Sequence, residues 1–143
     1  MIQYYNESSD TLPLDERRVS AWIQRTAARY GRQVGRINYL FCTDERILEV
    51  NRQFLQHDYY TDIITFDYSE GDTVSGDLFI SVDTVRSNAA QYGAHFDDEL
   101  HRVIIHGVLH LCGQDDKAPA DRAEMTRKEN LALEEWTGNR SEE

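Results

Sequence analysis

No apolar run in the 143 residues approaches the roughly 20 needed to span a bilayer, so no membrane partner is expected. The start, MIQYYNESSD, also has no charged-then-apolar secretory segment, and a cytoplasmic protein is expected. Cysteine is scarce. Cys42 and Cys112 exclude a disulfide framework, and their apolar flanks fit free, buried thiols in a reducing compartment. Linkers and internal repeats are absent, and 40% apolar content over 143 residues predicts one domain, residues 1–143, with a sizeable core. A cationic excess is missing too. At a formal net charge of −11, the chain as a whole lacks the Lys and Arg surplus that carries phosphate binding, which is the strongest objection to any nucleic-acid substrate, RNA included; no DNA partner is expected.

The positive charge that is present is unevenly spread. Between Asp15 and Arg36 there are six arginines (Arg17, Arg18, Arg25, Arg29, Arg32, Arg36) against two acids. Arg25, Arg29 and Arg32 recur near helical spacing and are candidates for a basic, substrate-binding patch. The same spacing also describes a solvated helix face.

The segment HGVLHLCGQDD, His106 to Asp116, carries the chemistry. Positions i and i+4 share one face of a helix, so His106 and His110 can converge on one ion. Gly113 can close the helix in a left-handed conformation and let the chain swing Asp116 back as a third ligand. Three protein ligands and an open position mark catalytic rather than structural zinc. A histidine pair at this spacing is common in helices. Here, however, it lies among Leu100, Val103, Ile104, Val108 and Leu111, where an imidazole needs a partner or a metal. One zinc per chain is expected, and the same donors also suit iron(II) or manganese. Cys112 points off the ligand face, as does His101, about 140° away on an ideal helix. The long zinc-protease signature H-E-x-x-H-x-x-G-x-x-H shares the ligand spacing and the glycine. It places its general base where this chain has Gly107, which counts against an amide hydrolase.

Periodicity predicts strands at Ile2 to Tyr5, Val34 to Phe41, Ile63 to Tyr68 and Leu78 to Val82. Helices are predicted from about Leu14 to Tyr30, from Thr43 as N-cap to Leu55, and from Val82 to Tyr92. Two more run from after Asp97 to Gly113 and from Pro119 to Trp136. In the last of these, Met125, Leu131 and Leu133 read as core. Strands early and helices late imply an α+β fold, one small mixed sheet packed with about five helices, one of them a zincin-like metal helix.

The motif as a whole resembles the signature H-G-x-L-H-L-x-G-x-D-H of the YbeY family, matched here by His106, Gly107, Leu109, His110, Leu111, Gly113 and Asp115. Asn51, the run Thr61-Asp62-Ile63-Ile64-Thr65-Phe66 and the run Gly76-Asp77-Leu78 are similar to further family segments. The resemblance implies a four-stranded sheet with a metal in a cleft between sheet and helices. It also implies a single-strand-specific endoribonuclease of rRNA 3′-end maturation and ribosome quality control, with rRNA and ribosomal subunits as partners.

Three departures matter. Asp116 stands where the family has its third histidine, Leu55 stands where it carries an arginine, and Tyr60 replaces a proline. Arg52, one helical turn before Leu55, is the candidate replacement for the phosphate-holding arginine. Asp62 and Asp77 fill family positions and can serve as base or as partner to a ligand histidine, or simply shape a turn and a bend. Asp115 either orients the ligand loop or faces solvent, and His57 beside Asp58 is a further candidate base. Whether water or the RNA's own 2′-hydroxyl attacks phosphorus is open at this level. A noncatalytic, metal-braced ribosome-assembly factor is the alternative function, favoured by the loss of arginine at Leu55.

Overall fold

A computed structural model describes residues 1–55 and 61–141, side chains being described through 54, from 61 to 138. The chain runs β1 (Ile2–Asn6), α1 (Glu16–Arg29), β2 (Gln33–Cys42), α2 (Asp44–Val50), a π-helical turn (Asn51–Leu55), β3 (Ile63–Asp67), β4 (Thr73–Ser81), α3 (Val82–Tyr92), α4 (Phe96–Leu111) and α5 (Pro119–Ser141). The strands form one four-stranded sheet in the order β1-β2-β4-β3. β1, β2 and β4 are parallel, and β3 pairs antiparallel to β4 at the edge. The α+β architecture, with its mixed sheet and five α-helices, is the one expected.

Local chemistry sets most boundaries. Asp15, Thr43 and Ser81 cap α1, α2 and α3, each side-chain oxygen accepting from a backbone N–H one turn on. Gly93 ends α3 at φ 67°, a conformation that costs glycine nothing. Several boundaries differ from expectation, and the helix expected from Thr43 to Leu55 is α-helical only to Val50 before it turns π-helical. β4 begins at Thr73 rather than Leu78, because Thr73 and Val74 pair with Gln33 and Val34 of β2 and lengthen a strand whose alternation is weak there. α4 begins at Phe96, whose ring packs on the core and lies under the Arg86 guanidinium at 4.4 Å. α5 passes through Gly138 to Ser141, since Gly138 keeps an ordinary helical backbone.

One face of the sheet carries the larger core. Ile37, Tyr39 and Phe41 of β2 and Val74, Leu78 and Ile80 of β4 meet Val19, Trp22 and Ile23 of α1 and the apolar residues of α4. The other face carries a smaller cluster of Cys42, Ile64, Phe66 and Phe79 under Ile47 and Val50 of α2. Buried hydrogen bonds lock the layers: Tyr39 donates its hydroxyl to the Ile104 carbonyl of α4 (3.0 Å), and Trp22 donates its indole N–H to the Ala132 carbonyl of α5 (2.9 Å). Met125 is buried and Leu133 packs at the core's edge, whereas Leu131 is 37% exposed, so the expectation of a core Leu131 is corrected. The helix turns it to solvent between buried Met125, Ala132 and Trp136. Both cysteines are free thiols, and burial pushes Cys42 up to about 12. Among the described residues, no helix is long and apolar enough to cross a membrane.

Gly76 sits where β4 meets both β3 and α4. A Cβ there would lie 2.5 Å from the Phe66 backbone oxygen and 3.0 Å from Leu111 Cδ2, and the first neighbour belongs to a paired strand that cannot swing away. Gly76→Ala is expected to cost about 1–3 kcal/mol and to lower the melting temperature by roughly 3–10 °C, read by calorimetry. An unchanged melting point would show that β3 yields freely.

Candidate metal centre

α4 is buried along nearly its whole length, with Leu100, Val103, Ile104, Ile105, Val108 and Leu109 all covered. Its exception is one stripe, on which His106 and His110 are partly exposed at the mouth of a cleft. Their rings stand 4.7 Å apart and nearly perpendicular. Past Cys112, Gly113 takes φ 97° and turns the chain, and the Gln114 amide returns to the Leu109 carbonyl (3.0 Å). Asp115 then folds the next turn, its Oδ1 accepting from the amides of Asp116 (2.7 Å) and Lys117 (3.3 Å). The turn points Asp116 back at the helix. Its Oδ2 lies 3.3 Å from His106 Nε2 and 3.2 Å from His110 Nε2.

The donors fit a divalent ion. All three ligand atoms lie within 4.8 Å of one another. On the far side of its ring, His106 Nδ1 meets Glu129 Oε2 at 2.6 Å. A carboxylate only accepts, so that nitrogen carries the hydrogen, and in a neutral ring Nε2 is left with a lone pair. That lone pair faces the Asp116 carboxylate, an arrangement that asks for a cation between them. Two imidazoles and one carboxylate suit zinc, and equally iron(II) or manganese.

The family model described as Endoribonuclease YbeY matches residues 3–137. The chain belongs to the YbeY family. It is 60% identical to Endoribonuclease YbeY of Bacteroides thetaiotaomicron over 132 residues, covering 92% of this chain and 96% of that relative. The corresponding protein of Porphyromonas gingivalis is 56% identical over 132 residues, covering 92% and 87%. The solution structure of TM1509 from Thermotoga maritima superimposes with a TM-score of 0.68 at 28% identity, over 100% of this chain and 96% of that one.

The structure also explains why glutamate is absent from this YbeY metal helix. The Cα–Cβ direction at Gly107 leads into the sheet, where a Cβ would meet Leu78 and come within 2.9 Å of Ile63 Cδ1. A glutamate there would have to displace the Leu78 and Ile63 side chains and would point into the sheet rather than the cleft, so the protease base position has no counterpart.

Of the residues singled out from the YbeY signature, His106, His110, Asp116, Asp115 and Asp62 line one cleft of about 600 Å³. Burial pushes the Asp62 carboxyl up, opposed by the charge of His106 and by backbone amides, and nearby Glu129 adds to the rise. For His106, burial works downward but is outweighed by the hydrogen bond and charge of Glu129 and by the charges of Asp62 and Asp116, so its affinity for a proton is raised.

Other candidates fall elsewhere. Asp77 is not part of the cleft. It alternates with buried Gly76 and Leu78 and accepts from Asn38 (3.0 Å) on the sheet face away from α4. Arg52 is exposed on the π-helical turn and is not among the described cleft-lining residues, although its neighbour Asn51 is. Arg25 and Arg29 both bind Glu135 (3.1 and 2.6 Å), and Arg32 donates to the Gly71 carbonyl (3.2 Å), so α1 and its exit are engaged with the protein itself. His101 is buried against Trp136 and Trp22, and His95 precedes α4, both apart from the ligands. His57, Asp58 and Tyr60 lie outside the described residues.

Two residues of the site escaped the sequence. Lys117 lines the cleft as its cation among the described residues, and it followed the ligand loop without any motif. Glu129, on α5, is signalled only by being a charged residue between the buried Met125 and Ala132.

Glu99 gives a sign-specific prediction. Burial raises its carboxyl, Asp62 and Glu129 push the same way, and Arg102 opposes them. A carboxyl raised on folding stabilises the fold below its unfolded pKa, and that contribution is lost as pH rises through the folded value. Glu99→Gln is therefore expected to be more stable than wild type at pH 7, with the advantage vanishing below about pH 4, the ordinary glutamate range. Urea melts at both pH values check this. A variant less stable at pH 7 would show that the Arg102 attraction prevails.

Proposed function

We propose that this chain is a metal-dependent, single-strand-specific endoribonuclease acting in the cytoplasm, in rRNA 3′-end maturation and ribosome quality control, as one domain over residues 1–143. The observation that carries this reading is the convergence of His106, His110 and Asp116 on an open cleft in a chain of the endoribonuclease YbeY family. A volume near 600 Å³ suits an unpaired strand whose nucleotides enter singly. Two free thiols fit the reducing cytoplasm.

The three ligands would hold zinc, with iron(II) or manganese as alternatives. When bound, the ion supplies positive charge to the scissile phosphodiester and acidifies water. The chain's own residues do the rest. Lys117, exposed at the rim, binds a phosphate and holds the strand over the ligands. Asp62, half-buried near His106, is placed to accept a proton at its carboxylate from the attacking hydroxyl. Asp115 keeps its loop folded so that Asp116 stays aimed at the histidines.

A noncatalytic factor on the ribosomal subunit is the second reading. The engagement of Arg25 and Arg29 with Glu135 favours it, because it leaves the cleft short of phosphate-binding charge.

Chelation of the metal is expected to abolish cleavage of single-stranded RNA, and zinc to restore it. His106→Ala and Asp116→Ala are each expected to lose stoichiometric metal and to cut roughly 10²-fold more slowly or worse. Metal retained with full cleavage in Asp116→Ala would remove that residue from the ligand set. A metal-loaded wild type that cuts no RNA with zinc, iron(II) or manganese would give the assembly-factor reading precedence.

Lys117→Ala is expected to raise KM for single-stranded RNA several-fold with kcat nearly unchanged. The slope of log affinity against log salt should shrink by about 0.7, one phosphate contact on a single strand. An unchanged slope would show that Lys117 touches no phosphate.

A further inference from the structure

Glu129 comes from the last helix, 23 residues beyond His106, and is 7% exposed. Its two carboxylate oxygens are divided between two partners. Oε1 accepts from Arg102 Nη1 at 2.7 Å, and Oε2 meets His106 Nδ1 at 2.6 Å. Arg102 in turn donates its other terminal nitrogen to Asn130 Oδ1 at 2.8 Å, so the guanidinium spans two adjacent residues of α5 and holds the carboxylate in one orientation. α5 is itself anchored independently of this contact. Trp22 bonds the Ala132 carbonyl, and Arg18 bonds the Trp136 carbonyl at 2.9 Å.

We infer that Glu129 is a positioning residue for the metal centre: held by Arg102, it fixes the ring orientation and the Nδ1–H tautomer of His106, so that Nε2 presents its lone pair beside His110 and Asp116. The inference rests on the reading of His106 as a ligand. The physical argument is one of preorganisation. A histidine free to rotate or to exchange tautomers spends part of its binding energy on being ordered, whereas a carboxylate partner on the far nitrogen removes that cost and makes the near nitrogen more basic. Among the described residues nothing else contacts His106 Nδ1 and no carboxylate backs His110 in the same way, while the Nε2 atoms of both rings meet Asp116. The restraint is therefore asymmetric, with His106 fixed and Asp116 on its loop closing against it.

Glutamine is the discriminating substitution. Its size preserves the packing of α5, but the carboxamide has one acceptor oxygen and one donor nitrogen, so it cannot accept from both Arg102 and His106. Zinc affinity, measured by competition with a chromophoric chelator on protein shown to be folded by circular dichroism, is expected to fall by about 10- to 100-fold in Glu129→Gln and in Glu129→Ala. Long-range proton–nitrogen NMR of the metal-free protein above neutral pH should show His106 as the Nδ1–H tautomer in wild type and as a mixture in Glu129→Gln. His106→Ala serves as the control on the underlying reading. If it keeps zinc, His106 is no ligand and the site assignment itself fails. If it loses zinc while both folded Glu129 variants bind as tightly as wild type, or the tautomer does not change, only the positioning role is overturned. A lower melting temperature with unaltered zinc affinity counts as overturning it, because that is the behaviour of a merely structural contact.

Discussion

The close approach of α4 to the sheet at Gly107 is the constraint on which the rest depends. The helix rests on Leu78 and Ile63 with no side chain between, and a Cβ at that position would have to push both side-chain ends aside. Once down, it is held to the same face of the sheet, with the Tyr39 hydroxyl bonding the Ile104 carbonyl one turn earlier. His106 immediately precedes the contact and His110 follows it by three residues, so the depth at which the helix seats sets how far both imidazoles stand above β3. Asp62, at the entry to that strand, thereby lies close enough to His106 for their charges to interact. A residue absent from the chemistry thus fixes the geometry of those present.

Around this seat the molecule concentrates negative charge. The charge of Glu129 strengthens the hold of Asp62 and Glu99 on their protons, Asp62 adds to the rise at Glu99, and Asp115 and Asp116 line the cleft above them. Among the described residues, Arg102, Lys117 and the two histidines are the compensating groups within reach, and Arg102 is shared between Glu129 and Asn130. Burying so many carboxylates costs stability unless cations accompany them. A divalent ion at the three ligands relieves that cost, and the same field draws cations while resisting a polyanionic strand. The net charge of −11 is thus less of a contradiction than its size suggests: the cluster of His106, His110 and Asp116 fits a metal ion, which would bring to the cleft positive charge that a broad basic face does not.

What the sequence made legible was what is local along the chain. His106, His110, Gly113 and Asp116 lie within 11 residues, so helical periodicity and the glycine's freedom are enough to bring them together, and the structure does so. The strands, the cap at Thr43 and the order of elements followed from the same short-range rules, whereas the caps at Asp15 and Ser81 were seen only in the structure. Non-local partnerships were not legible. A motif match placed Asp62 and Asp77 on equal terms, and only the sheet register shows that Asp77 faces Asn38 across the β-sheet surface remote from α4. Helical spacing on α1 read as a basic face, but Glu135, 106 residues after Arg29, claims two of its arginines. Glu129 was invisible for the same reason, since nothing in a window around it mentions His106.

That division between local ligands and distant supports bears on how the site works. In the unfolded chain the two histidines and the aspartate form no preorganised site, because their rings rotate and their loop is free. Tight binding requires α4 to seat on Gly107, α5 to dock through Trp22 and Trp136, and the Arg102–Glu129 pair to reach His106. Each of these events belongs to the native state alone, so whatever affinity they add is also added to the stability of that state. The metal and the C-terminal helix therefore reinforce one another across the fold. A substitution that loosens α5 far from the cleft should be felt at the ion, and one that removes a ligand should be felt in the packing of α5.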